Sequence, residues 1–113
     1  MQRDDAYLLD MLLAARRAQR FCAGITWEEF ERSDLHQYAV FKAIEVLGEA
    51  ARLISDQTRR AHPEIAWEQI AGMRKRLIHE YFRIDLPTVW ETVQDEIPPL
   101  IAQIEPLVPP DAP

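Results

Sequence analysis

Three side chains within eight residues could do chemistry together: Arg74, His79 and Tyr81, spaced R-x-x-x-x-H-x-Y. A histidine titrates near neutral pH and can take or give a proton there. An arginine grips a phosphate through paired donors and stabilises charge that builds on it. A tyrosine can donate a hydrogen bond, stack on a base or carry a modification. Together these are the parts for metal-free cleavage of RNA. His79 would deprotonate the ribose 2′-hydroxyl or protonate the leaving oxygen, Arg74 would hold the scissile phosphate, and a 2′,3′-cyclic phosphate would result. Lys75 and Arg76 follow Arg74 directly, so three of the chain's 13 basic residues are consecutive. The bland alternative is a solvated helix face with a packed tyrosine, and spacing alone leaves both readings open.

On one regular helix Arg74 and Tyr81, seven apart, nearly share a face, whereas His79 is rotated by about 140° from Arg74. Three resolutions are open: the length of arginine bridges the gap, the helix is irregular, or a second copy completes the site. The dimer is favoured, because two copies also double the local positive charge. Other candidates are weaker. Glu45 and Glu49, four apart, form either a carboxylate pair or a solvated face, unless that face meets the basic helix. His36 and His62 have no metal-ligand partner at useful spacing, so no metal is expected. No nucleophile elbow, P-loop or dinucleotide fingerprint is present, and no cofactor is expected.

At 113 residues the chain has room for one core. Hydrophobic residues make up 48% and charged residues 28%, ordinary for a soluble globular protein. The net charge of -6 argues against nucleic-acid binding over the whole surface but leaves room for one local basic site. The single cysteine, Cys22, excludes an internal disulfide and suits a cytoplasmic setting, with the thiol in the core. Met1-Gln2-Arg3-Asp4-Asp5 does not read as a signal peptide. No apolar run approaches the ~20 residues of a membrane span.

With only three glycines and long runs of Ala, Leu, Glu, Arg and Gln, the fold class is all-α. A first helix, capped by Asp4 or Asp5, runs to about Gly24 with Leu8, Met11, Leu12, Ala15, Ala18 and Cys22 as its stripe. Thr26 and Glu29 form a capping box for one short turn of helix. Ser33 or Asp34 starts a second long helix to about Ile54, whose broad stripe includes Leu35, Tyr38, Phe41, Ile44 and Leu47. Gly48, inside it, marks close approach of another helix. After a polar break at 55–63, a helix beginning at Glu64 or Trp67 carries Ile70, Met73, Leu77, Ile78, Tyr81 and Phe82. Asp85 caps the last helix, which Pro98-Pro99 should kink or break. Residues 1–105 then form the domain, a bundle of four main helices with one or two short extra ones, and 106–113 an extended proline-rich tail.

Ala71-Gly72-Met73-Arg74 followed by Leu77-Ile78-His79-Glu80-Tyr81-Phe82 resembles the signature of the HEPN superfamily, and more narrowly the HepT-like toxins of HEPN/MNT toxin–antitoxin pairs. Ala43-Ile44-Glu45-Val46-Leu47-Gly48-Glu49-Ala50-Ala51 is similar to that family's central helix, and Val89-Trp90-Glu91-Thr92-Val93 with Ile97-Pro98-Pro99-Leu100 to its last. The likeness spans residues 3 to 105. It implies an up-and-down HEPN bundle, usually a homodimer, acting as a metal-independent endoribonuclease. It implies Arg74 and His79 as the catalytic pair, Lys75, Arg76 and Tyr81 as RNA-binding support, and Tyr81 as the tyrosine AMPylated by a partner nucleotidyltransferase antitoxin. Lys75 departs from the pattern, which commonly has Asn or Asp after the arginine; lysine cannot accept a hydrogen bond but could add phosphate affinity. The alternative is a non-catalytic HEPN binding module that pairs with a nucleotidyltransferase or holds RNA or nucleotide.

Overall fold

The computed structural model describes residues 2–79 and 83–110. Two long helices dominate it, α1 (Gln2–Cys22) and α3 (Asp34–Leu53), packed along their length. Their apolar stripes meet: Leu8, Met11, Leu12, Ala15, Ala18 and Cys22 of α1 are buried, as are Val40, Ile44, Leu47 and Ala51 of α3. Residues three and four apart face one way on a helix, so each stripe becomes one wall of the core. Gly24, at φ +78°, ends α1 in the left-handed conformation that glycine adopts at no steric cost.

The capping signals act as expected. The Thr26 hydroxyl accepts from Glu29 N–H at 3.1 Å, and the Glu29 carboxylate accepts from Thr26 N–H at 3.0 Å, starting α2 (Trp27–Glu31). Ser33 caps α3, and Ser55 caps α4 (Asp56–Ala61), the helical turn inside the polar break. Phe30 on α2 is buried against Trp90, with ring centroids 5.3 Å apart, and Trp27 meets the same indole at 6.1 Å. Asp4 does not cap α1, which already begins at Gln2. Its buried carboxylate instead reaches the junction of α3 and α4, accepting from Ser55 N–H at 3.1 Å and from the Ser55 and Thr58 hydroxyls at 2.5 Å each. The start of α1 therefore lies beside the end of α3, and the two run antiparallel.

The third helical segment departs most from expectation. It begins at Trp67, breaks at Gly72 into α5 (Trp67–Ala71) and α6 (Met73–Leu77), and stops there. Ile78 is extended, and β1 (Ile78–His79) pairs antiparallel with β2 (Arg83–Ile84) in the register Ile78–Ile84 and His79–Arg83. Asp85 N–H donates to Leu77 C=O at 2.7 Å, so the last carbonyl of α6 finds its partner across the hairpin rather than in another helical turn. The helix expected to continue through Ile78 thus ends one residue before it.

The Asp85 carboxylate accepts from Thr88 N–H at 3.3 Å and caps α7 (Leu86–Glu91), with Pro87 in the first turn. A π turn, Thr92–Glu96, then joins α7 to α8 (Ile97–Ile104), and Ile97 N–H donates to Thr92 C=O. Pro98 and Pro99 follow directly, in the first turn of α8. They have no N–H to donate, and the wider turn before them is where the helix absorbs that loss. The tail starts more regularly than expected: Glu105–Leu107 is a 3₁₀ turn, with Leu107 and Val108 packed on the core. Leu35 and Tyr38 are exposed at 77% and 68%, so the buried stripe of α3 begins only at Val40. The fold is the expected all-α bundle of four main helical segments with α2 and α4 as the short extras and a kinked last helix. Among the described residues no helix is long and apolar enough to cross a membrane.

Candidate active site

Arg74, Lys75 and Arg76 form the middle of α6. Met73 and Leu77, four apart, are both buried and clamp one face of this short helix to the core. The three basic residues between them are consequently turned outward, and all three are exposed.

The height of α6 above α3 is set by Gly48. A Cβ at that position would lie 3.1 Å from the Ile70 carbonyl oxygen and 3.4 Å from that of Ala71. Hydrogen at Gly48 is what lets the end of α5 rest on α3. One turn earlier on α3 is Glu45, and the approach brings Arg74 within its reach. Arg74 Nε donates to Glu45 Oε2 at 2.9 Å, and Lys42 Nζ donates to Glu45 Oε1 at 3.2 Å. Arg74, and after it Lys42, hold the Glu45 carboxyl below the usual carboxylate range, against a smaller opposing effect of burial.

The two carboxylates of α3 thus have different partners. Glu45 meets the basic helix, whereas Glu49 forms an ion pair with Arg52 of its own helix, which likewise lowers its carboxyl. Arg76 is held on the other side of α6, where its Nη2 donates to Glu96 Oε1 of the π turn at 3.1 Å. Lys75 has no ion-pair partner among the described residues. Arg74 and Glu45 stand at the wall of an open cleft of about 500 Å³ between α1 and α3, which Tyr7, Asp10, Lys42 and Leu53 also line.

The backbone of His79 is in β1, beyond the end of α6. Arg74 and His79 therefore do not share a regular helix: α6 ends at Leu77, and the chain passes through the extended Ile78 to His79. Tyr81 lies outside the described residues, as does the side chain of His79. His36 Nδ1 lies 2.6 Å from Ser33 Oγ, and His62 Nδ1 lies 3.5 Å from a Glu64 carboxylate oxygen, both within their own local turns. Among the described residues no three His, Cys, Asp or Glu side chains converge on a common point. Cys22 is buried, which pushes its thiol up to about 11. The sequence left open whether the face of Glu45 and Glu49 meets the basic helix; Glu45 does so through Arg74 and Glu49 does not, and Gly48, a turn beyond Glu45, was the signal of that approach.

The family described as Ribonuclease HepT-like matches residues 11–107. A Thermococcus cleftensis protein named "Probable ribonuclease HepT" is 40% identical over 101 residues, covering 89% of this chain and 92% of that protein. Two Methanocaldococcus jannaschii proteins, provisionally named RNases, are 35% identical over 100 residues and 38% over 103. These alignments cover 88% and 91% of this chain, and 92% and 89% of the relatives. No solved structure matches the chain.

Proposed function

The chain belongs to the HepT-like ribonuclease family, and on that premise we propose that it is a metal-independent endoribonuclease acting through Arg74 and His79. The observation that carries the reading is the outward-facing Arg74-Lys75-Arg76 run on α6, with Arg74 fixed by Glu45 at the mouth of a cleft. In this scheme RNA lies across α6. Arg74 contacts the non-bridging oxygens of the scissile phosphate, and Lys75 and Arg76 hold the flanking backbone. His79, five residues after Arg74, accepts the proton of the ribose 2′-hydroxyl, whose oxygen attacks the phosphorus, or returns a proton to the departing 5′-oxygen. The product carries a 2′,3′-cyclic phosphate.

The biological setting we infer is a toxin–antitoxin pair. Tyr81, two residues past His79, is the modification point for a partner nucleotidyltransferase. Attached adenylate would bring bulk and negative charge close to the residues that should receive substrate phosphate. The working unit is a homodimer. Leu35 and Tyr38, exposed at 77% and 68% on α3, offer apolar area that a second copy would cover.

Lys75 favours one competing reading. A cation with no acceptor, adjacent to Arg74, suits binding as well as it suits catalysis, and a binding module would need nothing more. The experiment that separates the two is RNA cleavage in EDTA by wild type, His79→Ala and Arg74→Ala. Cleavage by wild type that leaves cyclic-phosphate ends and is lost in both variants is the expected result. RNA bound but left whole by wild-type protein, its mass free of adenylate, would establish the binding module instead.

A further inference from the structure

We propose that Glu45 is a positioning residue for Arg74, turning the terminal edge of its guanidinium toward the substrate phosphate; the inference rests on the ribonuclease reading above. A guanidinium offers two edges with paired donors, one formed by Nε and one Nη, the other by the two Nη groups. Glu45 Oε2 occupies Nε at 2.9 Å, and among the described residues no other acceptor contacts the Arg74 guanidinium. The side edge is therefore engaged, and the Nη1–Nη2 edge is the one left for two parallel bonds to a phosphate.

The carboxylate is well placed to aim a long side chain. It stands on α3, a helix of 20 residues whose opposite face is core, one turn before the glycine on which α5 rests. Its second oxygen is tied to Lys42 Nζ at 3.2 Å, so the group is held from both sides. An unpaired arginine would lose rotamer freedom each time it gripped substrate, and a fixed Nε contact removes much of that loss beforehand. Lys75, the neighbour of Arg74, cannot take this part, because an ammonium has no acceptor. Charge is consistent with the role. Lys42, Glu45 and Arg74 together carry one net positive charge, the complement of one phosphodiester.

The exposure of the pair separates positioning from fold stability. The side chains of Arg74 and Glu45 are 54% and 34% exposed, and solvent-exposed ion pairs add little to stability. Loss of Glu45 should thus be felt in turnover rather than in folding.

The test is RNA cleavage in EDTA by the full chain as wild type, Glu45→Ala and Glu45→Gln, and as Arg74→Ala with and without Glu45→Ala. Glu45→Ala should lower kcat by about 10- to 100-fold, with KM changed by less than about threefold. Glu45→Gln keeps an acceptor oxygen and should recover to within about fivefold of wild type. Adding Glu45→Ala to Arg74→Ala should cost nothing further, since the two act as one unit. Unchanged kcat in Glu45→Ala would overturn the proposal, as would an equal loss in both Arg74 backgrounds. Faster cleavage by Glu45→Ala would overturn it too, by making Glu45 a lock on Arg74. The Arg74 Nε–H resonance reads the contact without cleavage: protected from exchange in wild type and Glu45→Gln, unprotected in Glu45→Ala. Were wild type inert on RNA, the ribonuclease reading would fall and the catalytic meaning of the pair with it. A protected Nε–H would distinguish that result from a Glu45 that never holds Arg74.

Discussion

Replacing Asp4 with alanine should unlatch α4 from the start of α1. The buried carboxylate takes three hydrogen bonds, from Ser55 N–H at 3.1 Å and from the hydroxyls of Ser55 and Thr58 at 2.5 Å each. Hydrogen bonds to a charged group contribute about 1.5–3 kcal/mol each when measured singly. Here three share one acceptor group and their donors are only part-buried, so water recovers some of the loss. The expected cost of Asp4→Ala is about 2–4 kcal/mol, a large share of a domain stability of about 5–15 kcal/mol. Asp4→Asn keeps one acceptor oxygen and should cost about half as much. Burial pushes the Asp4 carboxyl up, but the bonds from Ser55 and Thr58 outweigh it and the net direction is down. Its contribution is therefore complete above the unfolded-state value of about 3.9 and is lost as pH falls through the lower folded-state value. Urea unfolding of wild type and Asp4→Ala at pH 7 and pH 3 measures both effects. A cost below about 0.5 kcal/mol at pH 7, or a gap equally wide at both pH values, would refute the reasoning.

Three further outcomes are expected. Gly48→Ala, which in an ordinary helix interior gains about 1 kcal/mol, should here lose stability and slow RNA cleavage, because its Cβ meets the Ile70 carbonyl at 3.1 Å; a full gain in urea would show that α5 shifts freely. Cys22, buried with its thiol pushed up to about 11, should resist iodoacetamide at pH 8 in native protein and react once urea unfolds the chain, as read by mass. Expressed without a partner, wild type should arrest growth and His79→Ala should not, and the peptide containing Tyr81 should gain adenylate mass when a cognate nucleotidyltransferase and ATP are supplied.

What the sequence made legible was mostly local. The capping box at Thr26 and Glu29, the Ser33 and Asp85 caps and the glycine stop at residue 24 each involve residues within a few positions of one another. Gly48 was legible as a close approach, though not what approached it. The break at Gly72 and the exit at Ile78 were hidden, because Met73, Leu77, Ile78 and Tyr81 continue a helical spacing. The competing partner that ends the helix, Asp85 N–H on the Leu77 carbonyl, comes from beyond a hairpin. Asp4 reads as a cap for its own helix because its true partners are Ser55 and Thr58, across the fold. Leu35 and Tyr38 fit the stripe of α3 by type, but that helix extends past the neighbours that would bury them. Of the candidate site, the outward basic run Arg74-Lys75-Arg76 was legible as a pattern, whereas the hold of Glu45 on Arg74 depends on a helix crossing that no local pattern encodes.

The length of α6 has a dynamic consequence. Five residues cannot sustain a helix in water, where even Ala-rich peptides need about 12–15. The order of Arg74-Lys75-Arg76 is therefore lent by Met73 and Leu77, and the lifetime of the basic run is the residence time of those two side chains in the core. Amide exchange at residues 74–77 should report openings smaller than global unfolding. Whatever prises Leu77 from its seat would disperse the three cations without melting α1 or α3.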